Sequence, residues 1–90
     1  DKSQSSLFAA EDSVEAPAGA TLRLGPGTNY GVRATVASGA EGTIVADALN
    51  GVLAKGQHWW MCDFGTESGW VAEGSLSQVA AAARRWEAYR

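Results

Sequence analysis

The sequence predicts an all-β domain: a small antiparallel barrel or sandwich over residues 18–76, a C-terminal α-helix over 77–90 and an extended N-terminal segment over 1–17. Three observations carry this. All 11 glycines fall between Gly19 and Gly74, and each would cost a helix interior roughly 1 kcal/mol relative to alanine. Short apolar–polar alternations recur between those glycines, separated by turn residues. The stretch 77–90 changes character, with four consecutive alanines and neither glycine nor proline.

Residues 1–17 (DKSQSSLFAAEDSVEAP) are polar and acidic, with one apolar pair, Leu7–Phe8, and no sustained period. The segment reads either as a flexible leader or as one that docks Leu7 and Phe8 onto a partner or onto the domain itself. The first strand signal follows: Ala20, Leu22 and Leu24 alternate with Thr21 and Arg23. Val32, Ala34 and Val36 alternate with Arg33 and Thr35, Thr43–Val45 is β-branched, and Val52–Ala54, His58–Phe64 and Gly69–Ala72 complete the set. Gly25-Pro26-Gly27, Ser38-Gly39, Asn50-Gly51, Lys55-Gly56 and the Gly65-to-Gly69 loop supply turns. Asn50-Gly51 is the best hairpin signal, since both residues tolerate positive φ. Such spacing argues for a small antiparallel barrel or sandwich. Beyond it, Ser75 or Ser77 can cap a helix whose arginines lie toward the favourable C-terminal end. Val79, Ala82 or Ala83, Trp86 and Tyr89 would form its apolar stripe, packed on the barrel or on another chain.

Composition bounds the function. Of 41 hydrophobic residues 17 are alanine, so only 24 side chains have the bulk for a core. Ninety residues make one ordinary domain. A net charge of −3 gives no electrostatic footprint for nucleic acid, and no apolar run approaches the ~18 residues of a membrane span. The single cysteine, Cys62, excludes an internal disulfide and has no metal-binding cluster around it. No cofactor motif is present, and the start shows no signal-peptide pattern.

Catalysis finds little support. His58 and Cys62 share one face of a predicted strand, but positions i and i+4 lie ~13 Å apart at about 3.3 Å per residue, too far for a nucleophile–base hydrogen bond. The carboxylates are scattered. The aromatics are more informative, because adjacent Trp59 and Trp60 must point to opposite faces of a strand. Trp60 belongs with Cys62 and Phe64 on the core face, which leaves Trp59 on the outer face as the exposed ring and the first binding candidate; the alternative is that loop residues cover it as a second small cluster.

The run Ala20-Thr-Leu-Arg23-Leu-Gly25-Pro-Gly-Thr-Asn-Tyr30-Gly-Val32 resembles the opening of bacterial-type Src homology 3 (SH3) domains. The resemblance continues through Ala34-Thr-Val36, Gly39 and Thr43-Ile-Val45. It ends with Trp59-Trp60-Met-Cys62 and Gly69-Trp70-Val71, covering roughly residues 18–76. It departs from the family at Leu24, where serine is common, and at Ser75, where eukaryotic relatives carry a groove-lining tyrosine. The segment Ala48–Gln57 is also longer than the usual hairpin.

What the resemblance implies is an SH3-like β-barrel and a non-catalytic binding module without cofactor or metal. Family members bind peptidoglycan in the cell envelope or mediate protein–protein contacts, so an extracytoplasmic bacterial protein is expected. The ligand or peptide groove would use Trp59, Tyr30, Asn29 and Trp70. Leu7, Phe8, Leu49, Leu53, Trp86 and Tyr89 are the expected partner contacts, which favours a protein–protein interaction or assembly subunit. The alternative is a peptidoglycan- or peptide-binding cell-wall targeting domain.

Overall fold

The computed structural model describes residues 5–46 and 48–80. Eight strands follow in order: β1 (Ser13–Ala16), β2 (Ala20–Arg23), β3 (Val32–Val36), β4 (Ala40–Ile44), β5 (Val52–Ala54), β6 (Gln57–Asp63), β7 (Ser68–Ala72) and β8 (Ser77–Ala80). A single 3-10 turn, Glu73–Ser75, joins the last two. All pairings are antiparallel, in one sheet of order β3-β2-β7-β6-β4-β1-β8, with β5 added beside β6.

The frame is one long hairpin with a sharp bend. Ala20 pairs with Val36 and Ala16 with Ala40, so β1–β2 and β3–β4 keep a single register across the break at residues 17–19 and 37–39. Pro17 cannot donate to a ladder. Gly19 and Gly39, at φ +83° and +86°, supply the left-handed backbone of the bend, and both of their N–H groups donate to the Ala16 carbonyl. One arm then pairs with β7 and the other with β6, so the sheet wraps around a common interior.

That interior is built by period-two alternation. Val14, Leu22, Ile44, Trp60, Cys62 and Val71 meet there with Phe8 and Leu76, and none is more than 8% exposed. Trp60 and Phe8 supply the bulk that the alanines lack, since a buried aromatic removes some 150–250 Å² from water. Val14, Leu22, Cys62 and Val71 have no exposed surface at all.

β6 is long enough to take two partners on one edge. β4 pairs with its Cys62–Asp63 end and β5 with its Gln57–Trp59 end. The Asn50 amide fills the gap between them, accepting from the Met61 N–H at 2.8 Å and donating to the Val45 carbonyl at 2.7 Å. The tight hairpin lies at Lys55-Gly56, both at positive φ (+54° and +79°), between paired Ala54 and Gln57. Asn50-Gly51, the stronger hairpin signal, serves instead as this side-chain bridge and as the entry to β5.

Three expectations are corrected. Among the described residues there is no α-helix: Ser77–Ala80, the expected first turn of the C-terminal helix, is strand β8. It pairs with β1, and Gln78 donates its side-chain amide to the buried Asp12 carboxylate at 2.5 Å. An open strand edge, offering backbone hydrogen bonds along its length, outweighs helix propensity of a few tenths of a kcal/mol per residue. The rest of the expected helix, with Trp86 and Tyr89, lies outside the described residues. The fold is thus one eight-stranded sheet rather than a barrel with an appended helix.

The N-terminal segment is likewise part of the fold. Phe8 is 5% exposed and meets the Trp60 ring edge-on, with centroids 5.1 Å apart and planes at 71°. Asp12 ties the approach to β1, accepting from the Ala9 N–H at 2.9 Å, and Ser13–Ala16 enters the sheet. Of the expected docking pair, Phe8 binds the domain's own core and Leu7 remains 59% exposed. The third correction, at Trp59, belongs to the site.

Candidate functional site: a cleft over Trp59

Alternation sends Leu22, Val71, Trp60 and Cys62 inward, so Thr21 and Arg23 of β2, Trp70 and Ala72 of β7, and Trp59 and Met61 of β6 share the opposite face. Register brings them side by side: Arg23 lies opposite Trp70, Trp70 opposite Met61, and Trp59 opposite Ala72. A cleft of about 140 Å³ opens on this face. Its lining comes from Thr21, Arg23, Trp59 and Ala72 on the strands, Thr28 from the 24–31 loop, Gln57 from the β5–β6 hairpin and Ser75 from the 3-10 turn.

Trp59 is buried, 2% exposed, where an exposed ring was expected. The prediction that Trp59 and Trp60 face opposite sides holds, but the outer side is covered too. The β5–β6 hairpin brings the Ala54 carbonyl against the indole, which donates to it through Nε1 at 2.8 Å. This bond holds the ring in place, and the ring lines the cleft as an apolar floor.

Arg23 shapes the wall. Its Nη1 donates to the carbonyls of Tyr30 at 2.9 Å and Thr28 at 3.4 Å, clamping the loop that also closes through Leu24 N–H to the Gly31 carbonyl. The Tyr30 ring lies flat against Gly25, where an added Cβ would meet ring carbons at 2.5 Å. The loop approaches the β5–β6 hairpin, since a Cβ at Gly27 would sit 3.6 Å from Lys55 Cγ. Loop and hairpin form the two sides of the cleft.

Of the four expected groove residues, only Trp59 lines the cleft. Tyr30 is 44% exposed on the outside of the loop, Asn29 is exposed with its Oδ1 turned back toward Gly27, and Trp70 is half-buried on the same face. Among the expected partner contacts, Leu7, Leu49 and Leu53 are exposed, and Ser5 N–H donates to the Gly51 carbonyl at the entry to β5. Phe8 is not available to a partner. Sequence reasoning missed Thr21, Arg23, Thr28, Gln57, Ala72 and Ser75. Arg23 was visible as part of the motif and Ser75 as a departure from it, but their convergence is a product of the bend.

No family model matches the chain, and no curated protein or solved structure does either. The chemistry of the cleft therefore rests on its own residues.

Neither Cys62 nor His58, the nucleophile and base weighed in the sequence, lines the cleft. Burial pushes the Cys62 thiol from about 9 up to about 12, so it stays protonated at neutral pH, on the core face away from the cleft. His58 Nδ1 donates to the Gly51 carbonyl at 2.9 Å, an orienting bond within the hairpin. Among the described residues, no three of His, Cys, Asp and Glu gather to hold a metal ion, and no helix is long and apolar enough to cross a membrane.

Proposed function

We propose that the chain is a non-catalytic binding module of the bacterial SH3 type that recognises an extended segment of a partner protein. The segment runs across the outer face of β2, β7 and β6, and the cleft over Trp59 receives one of its residues. The observation that carries this is the cleft itself: a rigid aromatic floor, walled by two loops and rimmed with polar side chains. That is the combination that seats an extended chain and sets its register. At about 140 Å³ the cleft is small beside the roughly 300–1,000 Å³ of drug-sized pockets, which suits a single side chain.

The exposed leucines Leu7, Leu49 and Leu53 offer further apolar surface, in keeping with a subunit of an assembly. A peptidoglycan peptide is the second reading, favoured by the size of the cleft, which suits small residues. The sequence resemblance supports both readings, and with them a setting in the bacterial cell envelope.

Selection of random linear peptides on the wild-type chain and on Ser75→Tyr, which fills the cleft from its exposed side, tests the proposal. Peptides retained by the wild type and lost by the variant are expected. Binders that both retain equally would overturn it. A parallel pulldown on purified peptidoglycan decides between the two ligand sources.

A further inference from the structure

Arg23 carries five N–H donors in a fixed planar fork. Among the described residues only its Nη1 is engaged, on the Thr28 and Tyr30 carbonyls, and no carboxylate pairs with this guanidinium. The cleft that it lines also holds the hydroxyls of Thr21, Thr28 and Ser75 and the amide of Gln57. None of these side chains bonds to another described protein group. Among the described residues no acidic side chain lines the cleft. The nearest carboxylate along the chain, Glu73, is turned away, accepting from Trp60 Nε1 and from Ser5 Oγ. Lys55 adds a second cation beside the 25–30 loop. In a chain of net charge −3, this is a recess of opposite sign with uncommitted donors.

We propose that the cleft is a carboxylate-binding site, taking the carboxylate of a peptide ligand against Arg23 while the small group that bears it rests on Trp59. A planar anion matches the free side of the guanidinium fork, and the surrounding hydroxyls and amide donate to whichever oxygen the fork leaves open. The alternation of β2 places Arg23 and Thr21 on one face two residues apart, so cation and hydroxyl address the same group. The carboxylate comes from a free C-terminus or from an acidic side chain. This inference rests on the peptide-binding reading above.

The test uses the intact ¹⁵N-labelled chain and four probes: N-acetyl-Ala-Ala with a free carboxylate, its C-terminal amide, N-acetyl-Ala-Glu amide and inorganic phosphate. Saturable shifts of the Trp59 indole N–H and of the Ala72 and Ser75 amides are expected with a carboxylate probe, weakening as ionic strength rises. The neutral amide should bind at least about tenfold more weakly. Whichever carboxylate probe binds more tightly identifies the source. Arg23→Gln should remove the preference for acid over amide. Because that substitution also releases the loop, Ser75→Tyr provides a second block that leaves Arg23 in place. Equal binding of acid and amide at the cleft would overturn the carboxylate site and leave peptide binding standing. Shifts with phosphate but with neither acid would overturn it as well. Peptide shifts confined to residues outside the cleft, or none with any probe, would remove the peptide-binding reading together with it.

Discussion

Trp59 and Trp60 are consecutive and equally buried, 2% exposed each, yet their indoles are held on opposite faces of β6. Trp59 donates to the Ala54 carbonyl at 2.8 Å, on the side of the cleft, and Trp60 donates to Glu73 Oε2 at 2.9 Å, on the side of the core. One strand thus contributes both the largest core side chain and the floor of the binding face.

The Glu73 carboxylate accepts from both Trp60 and Ser5, fastening the 3-10 turn and the N-terminal segment to the core. Glu73→Ala leaves the Trp60 N–H without its partner and should cost about 1–3 kcal/mol. Glu73→Gln keeps an acceptor and should cost less. Urea denaturation of the three chains orders them, with wild type first and alanine last.

Phe8 belongs to the core and Leu7 to the surface, though they are adjacent. Phe8→Ala should cost about 3–5 kcal/mol, as for other buried aromatics. Leu7→Ala should change stability by no more than about 0.5 kcal/mol. Thermal melts of both variants check this, and equal small effects would mean that the N-terminal segment does not pack.

Cys62 makes stability depend on alkaline pH. Its thiol is raised in the folded chain to about 12, whereas the unfolded chain ionises near the ordinary value of about 9. The folded state therefore binds the proton more tightly, and the contribution is fully present below about pH 9. It declines as pH rises between those two values, by a total on the order of 4 kcal/mol. Cys62→Ala is less stable at neutral pH because of the space it leaves. Its stability should nevertheless fall less steeply above pH 9 than that of the wild type, as read from denaturation curves along the pH series.

The bend depends on two glycines of unequal surroundings. Both sit at positive φ, but a Cβ at Gly19 would lie 2.8 Å from the Val36 carbonyl oxygen, while one at Gly39 would meet nothing within 4 Å. Gly39→Ala should cost about 1–2 kcal/mol for the left-handed backbone alone. Gly19→Ala should cost more, because the backbone itself must shift. Equilibrium unfolding of the pair measures the difference.

The strands from Ala20 to Ala72 were legible in the sequence because their alternation and turn residues agree with the final sheet. Where reading failed, a long-range partner decided. The segment 77–80 carries helical propensity, but the open edge of β1 and the Asp12 carboxylate, 66 positions from Gln78, draw it into the sheet. Phe8 looked like half of an isolated apolar pair until the Trp60 ring came within reach. Trp59 was placed on the correct face and given the wrong exposure, because alternation says which way a side chain points and nothing about what lies above it. The cleft was the least legible feature, since Arg23, Gln57 and Ser75 are far apart in sequence and meet only through the bent hairpin.

The most direct test of the account follows the tryptophan indole N–H resonances while a selected peptide is titrated into the labelled chain. The account predicts that the Trp59 resonance shifts saturably, Trp70 on the same face moves with it, and Trp60 stays in place. Saturable binding that leaves Trp59 unmoved, with shifts gathered instead around Leu49 and Leu53, would contradict it.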